Sequence, residues 1–311
     1  NNSFDYNERR KATLLLNNKF LLDGDYENVI ANLYRFLRKN GDTYIRSKFR
    51  QYIKEYLKEI KSEKNINAIF RLWVLIKPRK SLLDGQNLIE FANYFKSVGM
   101  YKNAEDIYHH ISKYTLYRDY WNTAQFQLAK IKFENGEYQS YLDLYRKLVF
   151  IGEKSSAKED EFKYYRIVSL QKLKRTEDAD KIIKAVDIPD IQTVFQVRLL
   201  RKKGDWLTRQ RKYAEALDLY QRVLSRSSNV QEQLEMENRI ADLFYLTDQL
   251  DKALAAYNQL ELKNGKIDWI LFQKINIYKK KKDGKQVKTV SEKLKKQYPD
   301  SFWLKQLNKN V

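Results

Sequence analysis

The chain contains no cysteine in 311 residues. Disulfides, iron–sulfur clusters and thiolate zinc sites are therefore excluded. Proline and glycine are scarce, with 3 and 9 copies, which argues against an all-β protein built on many tight turns. There are only two histidines, His109 and His110. As neighbours on a helix they point about 100° apart and cannot share one metal face, so no metal site is expected. The glycines are scattered singly. No G-x-G-x-x-G or G-x-x-x-x-G-K loop and no G-x-S-x-G elbow occurs, so phosphate-cradling and nucleophile-elbow chemistry lack their usual carriers. Carboxylate pairs such as Glu105-Asp106 and the run Glu159-Asp160-Glu161 lie on strongly charged segments and read as solvated helix faces. No catalytic residue, cofactor or enzymatic activity is expected. The most apolar stretch, Ile69 to Ile76, is too short to span a bilayer and contains Arg71.

What is present is a repeat. Segments of similar pattern follow one another about 34 to 39 residues apart, with anchors at Val29, Ala68, Ala104, Tyr141, Ala179, Ala216, Ala253 and Val287. The clearest copies place Tyr four residues after the anchor: Tyr108, Tyr220 and Tyr257. About twelve residues before those anchors stands a second small residue: Ala92, Gly204 and Ala241. Two small residues at that separation allow the helices of a hairpin to approach closely, and the Tyr shares the face of its anchor. Turn signals fall between the helices at Gly24-Asp25, Glu63-Lys64-Asn65, Gly99, Gly136-Glu137, Arg175-Thr176-Glu177, Asp248-Gln249 and Asp283-Gly284. An apolar or aromatic residue follows several of them: Tyr26, Tyr101, Tyr138, Tyr213 and Leu250. Two stretches interrupt the rhythm. Gly152 to Glu161 is polar and reads as a long loop or a solvated helix start, and Lys202 to Lys212 is rich in charge.

These positions resemble the tetratricopeptide repeat family. The best copy runs from about Gly85 to Arg118, with Leu88, Phe91, Ala92, Phe95, Gly99, Tyr101, Ala104, Tyr108 and Ile111 in pattern. The copy around Ala241 to Leu260 is nearly as good, and the last ends at Pro299, where the family often closes. The resemblance implies an all-α protein, a right-handed superhelical solenoid of about eight helical hairpins forming a single array over residues 1–311. The repeats are degenerate over 10–80 and clearest over 85–150 and 197–299. It also implies a groove lined by first helices, with candidate contacts Gln86, Asn93, Phe126, Lys130, Arg198, Arg201, Arg209, Asn238 and Tyr245. The family's carboxylate-clamp pattern is not met, because only Asn93 and Asn238 match it.

Basic residues outnumber acidic ones, 60 to 40, for a formal net charge of +20. The excess sits at the two ends. Ile30 to Lys80 carries 14 basic and 4 acidic residues, and Lys263 to Val311 carries the same numbers. The densest run is the basic patch Lys279, Lys280, Lys281 and Lys282. Such ends suit an acidic protein or an anionic membrane surface. The expected function is a non-catalytic scaffold for protein partners of a larger complex, with RNA or DNA binding and peripheral membrane docking as alternatives. Against nucleic acid, the aromatics occupy packing positions and would not be free to stack bases. The absent cysteine, a start at Asn1 rather than Met, and abundant Lys, Asn, Ile and Tyr point to a processed or partial chain. They favour the periplasm or bacterial cell envelope, in an assembly of the secretion, polysaccharide-export or flagellar-motor type. The cytoplasm is the alternative location.

Overall fold

The computed structural model describes residues 2–62, 65–148, 156–263 and 268–309, and among these no β-strand occurs. The fold is an all-α helical repeat divided into two compact units, residues 1–149 and 150–311. The first unit holds four consecutive hairpins: α1 (Asn2–Leu22) with α2 (Tyr26–Leu37), α3 (Thr43–Ser62) with α4 (Ile66–Ile76), α5 (Gly85–Ser97) with α6 (Tyr101–Lys113), and α7 (Arg118–Glu134) with α8 (Tyr138–Tyr145). A kinked 3₁₀ segment, Lys77–Leu82, follows α4. The second unit pairs α9 (Ser156–Lys172) with α10 (Thr176–Lys184), α11 (Val194–Arg209) with α12 (Tyr213–Arg226), α13 (Val230–Leu246) with α14 (Leu250–Lys263), and α15 (Asp268–Lys280) with α16 (Gly284–Gln297). A final helix, α17 (Phe302–Lys309), packs on α15.

The repeat anchors are the packing points. Val29, Tyr141, Ala104, Ala179, Ala216 and Ala253 are fully buried, and so is Ala68 to within 1%. Val287, the last anchor, is only half-buried. Ala92, Gly204 and Ala241 are buried opposite them on the first helices. A small side chain at each crossing lets the helices close, and a fully buried Tyr then fills the remaining volume. Burial of one such side chain stabilises the fold by about 1.5–3 kcal/mol. The residues Tyr26, Tyr101, Tyr138, Tyr213 and Leu250 each open a second helix.

The turns share one backbone solution. Gly24, Gly99, Gly136, Lys174, Arg211, Asp248 and Lys282 all have positive φ. In every case this residue donates its N–H to the carbonyl three residues back. The following residue donates to the carbonyl five before itself, as in Glu137 to Lys132 at 2.8 Å, Lys212 to Leu207 at 2.9 Å and Asp283 to Tyr278 at 3.0 Å. This is the Schellman arrangement, which satisfies carbonyls left open at a helix C-terminus. Asn65 makes the same bond to Ile60, while Glu63 and Lys64 lie outside the described residues. Asp25, Asn65 and Asp283 then cap the next helix by accepting from the backbone of Asn28, Ala68 and Gln286. The expected turn centres shift at three places. The left-handed residue is Lys174 rather than Arg175, and Lys282 rather than Asp283 or Gly284. At Arg211 the sequence carries no turn residue at all.

The interruptions also resolve. Residues 152–155 lie outside the described residues. Ser156 to Glu161 open α9, yet Asp160 in that acidic run is buried and accepts from Gln196 at 3.0 Å. Asp160 is therefore packed and not solvated, while Glu159 beside it is exposed. Lys202 to Arg209 continue α11 without a break.

The first helix is anchored through one carboxylate. Tyr6 and Arg10 both donate to Oδ2 of Asp42, at 2.6 and 2.7 Å, while Oδ1 accepts from the Ile45 amide at 2.9 Å. Burial opposes the Asp42 charge, but the hydrogen bonds from Tyr6, Ile45 and Arg10 prevail and hold its pKa below the ordinary value.

Candidate functional site

The second unit displays a charged and aromatic face on its first helices. Arg198 of α11 lies over the rings of Phe195 and Tyr164, at 5.3 and 5.8 Å. Tyr164 comes from α9, and Tyr165 beside it meets Phe195 edge-on at 5.5 Å. From here ion pairs run on to α13. Arg198 faces Glu232 at 3.7 Å, Arg201 binds Glu235 at 2.5 Å, and Arg239 returns to Asp205 at 2.7 Å. Toward α9 and α10, Lys202 donates to Gln171 at 2.7 Å and Arg209 pairs with Asp180 at 2.8 Å. Burial would pull down the Arg239 pKa, but the hydrogen bond and charge of Asp205 raise it. Lys202 is shifted the other way, down, by burial first and then by the cations Arg201, Arg239 and Arg209.

Asp205 has a second task. It accepts the Tyr220 hydroxyl at 2.7 Å, as Asn93 accepts Tyr108 at 2.6 Å, and Asp242 accepts Tyr257 in the next hairpin. In each case the acceptor directly follows the small residue of the first helix. These first-helix polar side chains thus hold their own hairpin closed. Burial, followed by the adjacent carboxylate in Tyr220 and Tyr257, pushes the buried phenols well above their ordinary pKa.

The structure distributes the expected groove residues as follows. Arg198, Arg201 and Arg209 lie in the ion-pair network. Asn238 sits one turn from Arg239's neighbours and donates to the Leu234 carbonyl at 2.9 Å, leaving its buried Oδ1 without a partner. Tyr245 is half-exposed with the Lys280 ammonium 4.5 Å above its ring. In the first unit, Gln86 is exposed and donates to Glu90 at 3.0 Å, Asn93 serves Tyr108, and Lys130 is half-buried. Phe126 corrects the expectation: it is buried to 5% exposure and belongs to the interior, because its helix turns that position toward its neighbours. Two lysines of the exposed run have partners: Lys280 pairs with Asp248 at 3.3 Å and Lys281 pairs with Asp251, while Lys282 takes the left-handed turn conformation.

Tyr164, Phe195 and Arg239 did not stand out in the sequence. The only local signal was Phe195 three residues before Arg198, a spacing that puts both on one helix face.

No protein-family model matches the chain, and no curated protein matches it. Among solved structures, PilW, described as a widely conserved type IV pilus biogenesis factor, is 14% identical, covers 72% of this chain and 97% of its own, and gives a TM-score of 0.47. PilF of Pseudomonas aeruginosa is 14% identical over 99% of this chain and 100% of its own, with a TM-score of 0.32. YrrB, described as a TPR protein with an unusual peptide-binding site, is 15% identical over 75% and 95%, with a TM-score of 0.34. Its paired helices, buried small residues, repeated tyrosine clasps and Schellman turns make this chain, in fold, a tetratricopeptide-like helical repeat protein.

Proposed function

We propose that the chain is a non-catalytic scaffold that holds protein partners, and that it does so through the first-helix face of the second unit. The observation that carries this reading is the Tyr164–Phe195–Arg198 cluster, set on a rigid ladder of ion pairs from α9 to α13. Half-exposed aromatic rings with an arginine across them are the residue types that concentrate binding energy at protein interfaces. The ladder keeps them ordered before binding, which lowers the entropic cost of association. The basic segment from Lys263 to Val311 supplies long-range attraction rather than the specific contact.

The proposed setting is an assembly of the bacterial cell envelope, of the secretion, polysaccharide-export or flagellar-motor kind. A chain of 311 residues without cysteine fits such a compartment, since it has no thiol to oxidise there. Cell fractionation with an antibody to the native protein tests the setting, and recovery only with ribosomes or nucleic acid would reject it.

The scaffold reading is tested by crosslinking in the native cells. A triple variant, Tyr164→Ala, Phe195→Ala and Arg198→Ala, should keep its helical circular dichroism and lose the crosslinked proteins. Neutralising Lys279 to Lys282 should leave them in place. The opposite pattern, or crosslinks that vanish on nuclease treatment, would point to a polyanion-binding protein instead.

A further inference from the structure

The first unit contains a cationic trough that the scaffold reading does not use. Two adjoining concavities of about 760 and 640 Å³ share Arg79 in their walls. The first lies between α1, α2 and the kinked 3₁₀ segment. Its cations are Arg9, Arg35, Arg38, Lys39 and Arg79, and no carboxylate lines it. The second lies between the kinked segment and α6, where Lys77, Lys80 and Lys113 face a single acid, Asp106.

The trough is built by the backbone. Arg79 is the residue at which the 3₁₀ segment kinks, and its Nη1 donates to the Arg38 carbonyl at 3.1 Å. This bond ties the segment to the end of α2 and leaves the other N–H donors of the guanidinium open at the junction of the two concavities. Arg9 is spoken for by Asp5, at 2.5 Å. Arg35, Arg38, Lys39, Arg79 and Lys80 have no carboxylate within ion-pair distance among the described residues. Burial lowers the Lys80 pKa, Asp106 opposes it, and Lys77 adds a smaller downward push. The buried Nε2 of His110, in the second concavity, has no hydrogen-bond partner. By contrast, Arg198, Arg201, Arg209 and Arg239 of the second unit are each paired with a carboxylate on a neighbouring helix.

The walls also carry exposed apolar groups. Leu16 in the first concavity is 43% exposed, and Tyr114 and Leu116 in the second are 48% and 69% exposed. Of these only Tyr114 offers a ring on which a nucleic-acid base could stack, while Leu16 and Leu116 are aliphatic. A peptide that alternates carboxylates with apolar residues satisfies both sets, and arginine forks match carboxylates two bonds at a time.

We propose that this trough binds an acidic, apolar-interspersed peptide segment of a partner protein, with Arg35, Arg38, Lys39 and Arg79 as the central anion contacts. The inference rests on the scaffold reading and names the chemistry of one partner, at a surface separate from the Tyr164–Phe195–Arg198 cluster.

The test uses the full chain and fluorescence anisotropy near physiological salt. The probes are a short synthetic peptide alternating Asp and Glu with Leu and Phe, a Lys-for-acid version of it, an oligouridylate of matching charge and phosphatidylserine vesicles. The acidic peptide should bind, and the double variant Arg35→Glu, Lys39→Glu should weaken it by about tenfold or more, the scale of one or two lost charge-assisted contacts. Both residues are exposed, so the fold should survive, and Arg38→Glu gives an independent check. Changing Lys279 to Lys282 should leave the peptide affinity unaltered. Absence of peptide binding, affinity indifferent to the double variant, or equal or tighter binding of oligouridylate or vesicles through the same residues would overturn the proposal. Because the native crosslinks are read on variants of the second unit, a failed peptide assay leaves the scaffold reading standing. Loss of those crosslinks to nuclease would remove the scaffold reading without touching the peptide result.

Discussion

The ring of Tyr220 occupies the space that a side chain at Gly204 would need. A Cβ at Gly204 would lie 2.5 Å from Cε1 and 2.9 Å from Cζ of the tyrosine. The two residues sit on opposite helices of one hairpin, and the same ring delivers its hydroxyl to Asp205. Replacing a mid-helix glycine by alanine ordinarily stabilises a helix by about 0.5–1 kcal/mol. Here the sign should reverse. Gly204→Ala is expected to lower stability by about 1–3 kcal/mol through overpacking, measured by urea unfolding. A stabilised variant would show that α11 and α12 are not in this register.

The three tyrosine clasps should differ in strength. Asp242 is buried enough that burial raises its pKa, while the Tyr257 hydrogen bond and then Arg239 work to lower it. Tyr257→Phe strands this carboxyl without its donor, at a cost of about 1–3 kcal/mol. Asn93 is neutral and exposed, so Tyr108→Phe should cost only about 0.5–1.5 kcal/mol. Equal losses from the two variants in chemical denaturation would contradict this ranking.

Arg211 holds a positive φ of 61° without being glycine. A left-handed conformation costs an L-residue about 1–2 kcal/mol, part of which glycine returns through its more flexible unfolded chain. Arg211→Gly is therefore expected to raise the thermal midpoint, with a gain of about 0.5–1 kcal/mol. Gly99→Ala should do the reverse. A midpoint lowered by Arg211→Gly would mean that the arginine side chain contributes more than its backbone costs.

His110 predicts an acid sensitivity. Burial first, then the charges of Lys80 and Lys113, hold its pKa down to about 4, against 6.5 for a free imidazole. The folded state thus takes up the proton less readily than the unfolded one. Stability should fall as pH drops from about 6.5 towards 4 and stop falling from this source below that. His110→Gln should flatten the slope of unfolding free energy between neutral pH and the carboxylate range. Identical slopes in wild type and His110→Gln would refute the assignment.

The period and the small–aromatic pairs determined the architecture, because close helix packing constrains residue size at fixed positions along the chain. Ala92 with Ala104, Gly204 with Ala216, and Ala241 with Ala253 could be read directly, and so could the glycine turns at 24, 99 and 136. At Lys174 and Lys282 the turn could be read but not its left-handed residue, and at Arg211 neither could, since these hydrogen bonds are made by backbone atoms that any residue possesses. The same holds for the surfaces. Composition showed where charge was abundant, but pairing decides whether a charge is available. Lys280 and Lys281 face Asp248 and Asp251, about thirty residues earlier, so half of the densest lysine run is engaged. Arg35, Arg38 and Arg79 looked unremarkable in order along the chain. Only the folding of α2 against the kinked segment brings them around one concavity, because proximity between residues more than forty positions apart is a property of tertiary packing.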